Sequence, residues 1–254
     1  MSNSPLVSYT KLSPNHSGKR PCSIDRITPH CVVGQCSVET LGAVFSPTSR
    51  GASCNYGIGS DGRVGMYVPE DTISWCTSSY SNDKRAVTIE CASNTYDPFW
   101  MNDKVYATLI KLCVDICKRN GKKKLLWLGD NKSKTLNYTP KDDEMIITIH
   151  RWFNTGKSCP GQWLVDRLGN VADEVTKQLN QSDIKQEATM QCTYTIDGGD
   201  TTYYFDGQKI HELPHPDCLK IIRVIYKANN GHDMPHYAWK STAPWYKRLQ
   251  QAIK

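Results

Sequence analysis

The sequence predicts an α/β protein in which a central β-sheet is flanked by helices, with a small α+β domain at the C-terminal end. Three observations predict this class. Short β-rich runs alternate with helical patterns along the first 180 residues. After Leu179 the sequence becomes polar, as linkers do. Beyond that break, a stretch rich in Tyr and Thr alternates and is followed by helical patterns, which indicates a separate small domain.

The strands predicted in the first part of the chain end close to residues that can do chemistry. His30 lies at or near the end of the first strand, Glu90 near the end of the second, and His150 directly follows the third. A Ser-Asp-Gly turn between two extended runs predicts a hairpin. The predicted strands are residues 25–33, 86–91 and 144–149, and the predicted hairpin is 56–68.

The predicted helices have recognisable ends. Asn102 can cap a long helix that reaches about Arg119, and Gly121 can end it. Its apolar residues fall at helical spacing, which predicts one buried face; they are Val105, Leu109, Leu112 and Ile116. Two further helices are predicted at residues 37–46 and at about 162–179.

Two domains and a linker follow from this pattern. We assign residues 1–180 to a first domain, 181–188 to the linker and 189–254 to the small C-terminal domain. Within the last, residues 189–213 alternate like strands. Asp217 can cap a helix to about Ala228, and a terminal helix is predicted with Pro244 in its first turn.

The composition is that of an ordinary globular protein with a modest positive charge. The 254 residues carry a net charge of +6, which favours a polyanionic partner such as teichoic acid or nucleic acid. The densest basic run, residues 122–124, follows a helix and is better explained as a solvated loop, so we expect no nucleic-acid binding. No apolar stretch is long enough for a membrane helix, so we expect no membrane insertion.

Cysteine usage predicts reduced thiols. The chain has 11 Cys, an odd number, and its N-terminus shows no signal peptide. We therefore expect free, partly buried thiols and a protein that stays in the cytoplasm until something releases it. Since no pair of CxxC motifs is present, a zinc-ribbon site is not predicted.

Three residues have the donor types of a catalytic zinc site. Such a site uses three protein ligands from His, Cys or carboxylate and leaves one position open. His30 and His150 each follow a β-rich run, so neighbouring strands can present them side by side. Cys159 lies nine residues after His150 in a loop with Gly and Pro, which allows the chain to fold back. By spacing alone, a buried structural role for each residue remains open.

Four segments together resemble a known family. His150-Arg-Trp-Phe-Asn-Thr-Gly-Lys-Ser-Cys-Pro-Gly161 and Ile27-Thr-Pro-His30 are similar to the two metal-ligand segments of zinc-dependent N-acetylmuramoyl-L-alanine amidases, which are related to peptidoglycan recognition proteins. Asn55-Tyr-Gly-Ile-Gly-Ser-Asp-Gly62 resembles their tyrosine-bearing hairpin, and Val87-Thr-Ile-Glu90 their acidic strand. The resemblance covers roughly residues 9–180 and implies their fold, a central mixed β-sheet flanked by helices.

The resemblance also implies roles for single residues. Zn²⁺ would be held by His30, His150 and Cys159. Glu90 and Tyr56 would line the open side, with Glu90 moving the proton and Tyr56 orienting the water or the substrate carbonyl. Lys157 would stabilise the oxyanion.

Each of the three catalytic roles has a structural alternative. Glu90 could instead form an ion pair at its strand end, Lys157 could be a flexible surface residue, and Tyr56 could pack in its hairpin.

One segment departs from the family pattern. Where members often carry Ala-Trp-His after the hairpin, this chain has Ser74-Trp75-Cys76. We take Trp75, Asn94 and Trp152 as candidate substrate-groove residues, with core packing of the tryptophans as the alternative.

The C-terminal domain offers a less specific signal. Its aromatic residues could stack on carbohydrate or form the core of a small domain; they are Tyr203, Tyr204, Tyr237, Trp239, Trp245 and Tyr246. Its two H-x₃-H spacings are interrupted by prolines, so no second metal site is assigned. A catalytic domain with a small C-terminal module is typical of lysins, which implies that this module binds cell-wall carbohydrate or teichoic acid.

Together these inferences predict a peptidoglycan hydrolase that cuts the amide between N-acetylmuramic acid and L-alanine. A phage endolysin that waits in the host bacterial cytoplasm and acts on the wall after release fits best. The alternatives are a host autolysin and a non-enzymatic muropeptide-binding protein. Because binding-only relatives often replace the cysteine ligand, the presence of Cys159 favours the enzyme. A structural zinc or redox protein would need a fourth ligand or a CxxC motif.

Overall fold

A computed structural model of the chain describes residues 2–187, 191–243 and 245–252, with the side chains of 181–187 left out. The chain divides into two compact units, Met1–Leu179 and Asn180–Lys254. No helix of the described residues is long and apolar enough to span a bilayer.

The first unit contains a seven-stranded sheet with helices on both faces and a separate two-stranded ribbon. Its strands are β1 (Val7–Thr10), β2 (His16–Lys19), β3 (Arg26–Cys31), β4 (Tyr56–Ile58), β5 (Val64–Met66), β6 (Thr72–Ser74), β7 (Ala86–Cys91), β8 (Lys124–Leu126) and β9 (Glu144–Ile147). Its helices are α1 (Val38–Phe45), α2 (Tyr80–Asp83), α3 (Asp103–Arg119), α4 (Lys132–Asn137), α5 (Gln162–Val165) and α6 (Leu168–Glu187), the last of which runs on into the second unit. The sheet order is β1-β5-β4-β7-β3-β9-β8, and β2 pairs with β6 in a separate ribbon.

The sheet is mixed, as the sequence predicted. The hairpin strands β4 and β5 are antiparallel, whereas the other neighbouring pairs of the seven-stranded sheet are parallel. The central strands β3 and β7 are buried almost throughout, because parallel strands in such folds are covered on both faces.

Two helices cover the faces of the sheet near its centre. Asn102 accepts a hydrogen bond from the backbone N–H of Val105 and caps α3, whose apolar stripe packs on the larger core cluster. On the other face α1 approaches closely, because a Cβ at Gly57 would lie 2.7 Å from a Leu41 methyl carbon. Glycine at position 57 therefore allows α1 to pack directly on the sheet.

Most of the predicted elements are confirmed, and one helix is wrong in extent. The hairpin and the helix capped by Asn102 form as predicted. The predicted helix 162–179 is instead two helices, α5 and α6, and α6 continues to Glu187. Most of the predicted linker is thus helical; residue 188 lies outside the described residues.

The second unit is α+β. A four-stranded sheet of order β12-β11-β10-β13 is accompanied by two helices; the elements are β10 (Cys192–Ile196), β11 (Thr202–Phe205), β12 (Ile210–Glu212), α7 (Pro216–Asn230), β13 (His236–Trp239) and α8 (Trp245–Ala252). The cap of α7 is His215, with Asp217 in the first turn, and the helix ends at Gly231 with φ +75°. The predicted role of Pro244 lies outside the described residues.

Candidate metal centre and cleft

The candidate site lies at the carboxyl ends of adjacent parallel strands. His30 on β3 and Glu90 on β7 are register partners, so their side chains share one face of the sheet. His150 follows the neighbouring strand β9 and begins a single 3₁₀ turn. The sequence expectation that strand ends bring the two imidazoles together is met by the structure.

The loop after His150 folds back and brings Cys159 close to His30. The backbone N–H of Arg151 donates to the carbonyl of Cys159 at 3.0 Å, which folds the loop back on its start. At the end of this loop, Gly161 has φ +83°, and a Cβ there would lie 2.7 Å from the carbonyl oxygen of Pro98. Glycine is therefore needed for the chain to turn at this point.

His30, His150 and Cys159 form a compact donor cluster. Cys159 Sγ lies 3.2 Å from His30 Nδ1, and the two imidazole ring centroids are 4.9 Å apart. One donor atom from each residue lies within 4.8 Å of the others. The spacing suits one tetrahedral ion, since zinc with bonds of about 2.0–2.3 Å separates its ligand atoms by roughly 3.3–3.6 Å.

Burial and charge show that this donor set fits zinc. Burial lowers the pKa of His30, and burial together with the charge of Lys157 lowers the pKa of His150 to about 4, so both rings are neutral and able to bind a metal. Burial and the adjacent Cys31 raise the pKa of the Cys159 thiol, and a bound cation would offset that cost. Within the described part of the chain, Nε2 of His150 is buried without a hydrogen-bond partner, so it is free to bind an ion.

Glu90 lies beside the donor cluster. Its Oε1 is 3.9 Å from His30 Nδ1, and 15% of its side chain is exposed. Burial raises the pKa of the Glu90 carboxyl to about 8, although a Cys76 hydrogen bond and the charges of Arg50 and Lys157 oppose that rise. Its Oε2 is buried and makes no hydrogen bond to any described residue. A carboxylate that is free on one oxygen and next to a metal position can accept a proton from a reacting group.

A cleft of about 980 Å³ opens over this cluster. Glu90, His150 and Cys159 line one part of it, and Lys157 and Arg50 are the lysine and arginine of its lining. Lys157 is exposed, and its charge reaches both Glu90 and His150. The cleft can therefore hold a substrate of several residues and place a cation near a developing negative charge.

Tyr56 is not at this site, which corrects the sequence prediction. In the register of β4 and β7, Gly57 pairs with Glu90 and Tyr56 pairs with Ile89, so Tyr56 points to the opposite face of the sheet. Its hydroxyl donates to Glu70 Oε1 at 2.8 Å and accepts from the Ser4 backbone N–H at 2.9 Å. Tyr56 is a buried structural residue.

The three candidate groove residues lie in different surroundings. Trp75 is 40% exposed and lines the cleft, so its role in binding substrate stays a prediction. Trp152 is buried, stacks on Trp127 with ring centroids 5.6 Å apart and donates to Asp130, so its predicted groove role is wrong and the packing alternative holds.

Asn94 is also buried, and it lies outside the lining of the cleft. Its side-chain oxygen accepts from Gln35 Nε2 at 3.3 Å, so its predicted groove role is wrong as well.

Sequence reasoning missed two cleft residues. Cys76, noted only as a departure from the family pattern, places its Sγ 3.8 Å from Glu90 Oε1. Arg50 ends a short 3₁₀ turn before Gly51, and no motif or spacing in the sequence marks it. The sequence did contain a signal for Cys76, because a cysteine, another metal-binding residue type, stands there in place of the histidine of the family pattern.

The amino-acid sequence matches a known protein family. The sequence model of a family described as N-acetylmuramoyl-L-alanine amidase matches residues 19–162, more than half of the chain. No curated protein sequence gives a significant match.

Solved structures also match. AmpD, solved as a selenomethionine derivative, is 15% identical over 70% of this chain and 98% of its own, with a TM-score of 0.48. The endolysin N-acetylmuramoyl-L-alanine amidase LysCS from Clostridium intestinale is 14% identical over 68% of this chain and 97% of its own, with a TM-score of 0.41. The structure called lys170 CBD is 34% identical over 25% of this chain and 91% of its own, with a TM-score of 0.23.

Proposed function

Because the chain belongs to the N-acetylmuramoyl-L-alanine amidase family, we propose that it hydrolyses the amide between the lactyl group of N-acetylmuramic acid and L-alanine in bacterial peptidoglycan. Its cofactor is Zn²⁺, held by His30, His150 and Cys159. The observation that carries the proposal is the meeting of these three donors with Glu90 at one point of an open cleft.

Zinc bound there would supply Lewis acidity, which polarises the amide carbonyl and makes water a stronger acid. Glu90 lies on the same face of the sheet as His30, where its carboxylate accepts a proton from the attacking water and then donates it to the leaving amine of L-alanine. A cation at the donor cluster would stabilise the ionised carboxylate and bring the pKa of Glu90 down from its raised value.

Lys157 stabilises the oxyanion that develops on the carbonyl oxygen. It lies two residues before Cys159 in the loop that folds back over the strand end, and its charge acts on Glu90 and His150. A well-placed donor of this kind contributes about 10²–10³ in rate. Trp75 gives the substrate an exposed aromatic surface in the same cleft.

We assign the second unit to attachment on the cell wall. Some aromatic residues of this unit are buried and others are exposed: Tyr194 is buried and stacks on Tyr203 with ring centroids 5.2 Å apart, whereas Tyr237 and Trp245 are about half exposed. Exposed aromatic rings can stack on sugars, so cell-wall carbohydrate or teichoic acid is the proposed ligand. In this proposal residues 1–180 form the catalytic domain, 181–188 connect the two domains, and 189–254 bind the cell wall. The whole protein is then a bacteriolytic phage endolysin.

The experiment that tests the activity measures which bond is cut. Purified zinc-loaded protein is incubated with cell walls, and newly freed alanine amines and reducing sugar ends are quantified in parallel. We expect amines without reducing ends, and loss of amine release in the Glu90→Gln variant. Reducing ends would identify a glycosidase, and wall binding without either product would identify a non-enzymatic peptidoglycan-binding protein.

A further inference from the structure

A second set of metal-binding side chains shares His30 with the first. Cys76 follows β6, and the loop that carries it is fixed by Asp83, whose Oδ2 accepts the backbone N–H groups of Cys76 and Thr77 at 3.1 Å each. This loop directs the Cys76 thiol toward Glu90. His30, Cys76 and Glu90 therefore form a second group of donors around one point.

The distances of this second set come close to those of a metal site. Cys76 Sγ is 3.8 Å from Glu90 Oε1, His30 Nδ1 is 3.9 Å from the same oxygen, and the three donor atoms lie within 4.8 Å of one another. A tetrahedral zinc with Zn–S of about 2.3 Å and Zn–N and Zn–O of about 2.0 Å separates its ligands by roughly 3.3–3.6 Å. Bringing Cys76 Sγ and His30 Nδ1 to that distance from Glu90 Oε1 takes a movement of a few tenths of an ångström at the side-chain ends.

We propose that His30, Cys76 and Glu90 form a second, alternative position for a thiophilic divalent cation such as Zn²⁺, Co²⁺ or Cd²⁺. The two positions exclude each other, because both Cys159 and Glu90 lie nearest to the same nitrogen, Nδ1 of His30. If the proposed function holds, an ion in the second position inactivates the enzyme, since it occupies the carboxylate that must move the proton.

The first position is the stronger of the two in the intact protein. Cys159 Sγ and His30 Nδ1 are already 3.2 Å apart, so that set needs little rearrangement. The second set uses a carboxylate in place of an imidazole, and it must release the thiol proton of Cys76 to solvent when the ion binds. Burial and the nearby Glu90 raise the pKa of that thiol, which weakens binding further. The second position should therefore fill when Cys159 is lost.

Cobalt(II) gives a direct readout, because a thiolate ligand produces a charge-transfer band in the near ultraviolet. Full-length Cys159→Ser protein titrated with Co²⁺ should keep a thiolate band, now from Cys76. Adding Cys76→Ser should abolish the band and weaken Co²⁺ binding at least ~10-fold. Adding Glu90→Gln to Cys159→Ser should weaken binding while the band remains.

The matched control is Cys31→Ser in the Cys159→Ser background, because Cys31 also lines the cleft and acts on Cys159. This double variant should retain the band. The proposal is overturned if the Cys159→Ser protein shows no thiolate band. It is also overturned if, in the Cys159→Ser background, Cys31→Ser removes the band and Cys76→Ser leaves it in place. Circular dichroism of each apo variant verifies folding.

The two proposals can fail separately. Amine release from cell walls is measured on the wild-type protein, whereas the cobalt band is measured on variants that need no activity. A band that behaves as expected in a protein without amidase activity would leave the metal position standing and remove only its inhibitory consequence.

Discussion

Replacing Tyr56 by Phe separates the structural role found here from the catalytic role that the sequence predicted. The substitution removes one hydroxyl from the interior. That hydroxyl donates to Glu70 Oε1 at 2.8 Å and accepts the backbone N–H of Ser4 at 2.9 Å. Glu70 keeps its ion pair with Arg119, so its charge stays compensated, whereas the Ser4 N–H loses its partner in a buried position.

The expected loss of stability follows from those two hydrogen bonds. A hydrogen bond to a charged acceptor contributes about 1.5–3 kcal/mol, and a buried donor left unpaired costs about 1–3 kcal/mol. Because Arg119 still satisfies Glu70, we expect the lower part of the summed range, a loss of about 2.5–4 kcal/mol in the free energy of unfolding. The catalytic rate should stay within about twofold, since the hydroxyl lies on the face of the sheet opposite Glu90.

Urea unfolding and amine release from cell walls measure the two quantities on the same preparations. Tyr67→Phe is the matched control, because Tyr67 is equally buried but donates to the uncharged carbonyl of Val38 at 2.7 Å. A bond to a neutral acceptor contributes about 0.5–1.5 kcal/mol, so this control should be the less destabilised. A fall in kcat of about 10²-fold or more in Tyr56→Phe, with unchanged stability, would refute the structural assignment.

Three further changes test the remaining roles. Glu90→Gln should lower kcat by about 10²–10⁴-fold with unchanged zinc content by metal analysis; loss of the zinc instead would make Glu90 a ligand. Lys157→Met should lower kcat by about 10²–10³-fold, whereas Lys177→Met, at an exposed position of α6, should not. Equal effects of the two substitutions would remove the oxyanion role. The double variant Tyr237→Ala/Trp245→Ala should co-sediment less with cell walls and keep its activity on short muropeptides; unchanged sedimentation would exclude these rings as the wall contact.

The sequence predicted the parts of the site that depend on the ends of strands. His30, Glu90 and His150 each terminate a β-rich run, and the carboxyl ends of parallel strands meet at one edge of a sheet, where open α/β folds place their sites. The Gly and Pro residues around Cys159 indicated a loop that can fold back toward the end of the strand. By spacing alone these patterns left a buried structural role open for each residue, and the resemblance to the amidase family assigned the ligand roles to His30, His150 and Cys159.

Side-chain direction could not be predicted in the same way. A strand side chain changes face when the register changes by one residue, and the pairing of Tyr56 with Ile89 instead of Glu90 is a property of the assembled sheet. Trp152 lies in the 3₁₀ turn His150–Trp152, beyond the end of β9 at Ile147, and its ring stacks on Trp127. Local propensity does not encode such tertiary choices.

The geometry of the sheet also explains which parts of the site are fixed and which can vary. Glu90 and His30 belong to adjacent paired strands, so the spacing of strands, about 4.8 Å, sets the separation between the proton acceptor and the first metal donor. Cys159 and Lys157 come from a loop, and Cys76 from another, so their distances to His30 depend on loop conformation. The choice between two metal positions around one imidazole therefore lies in the loops, while the sheet holds His30 and Glu90 in place for either.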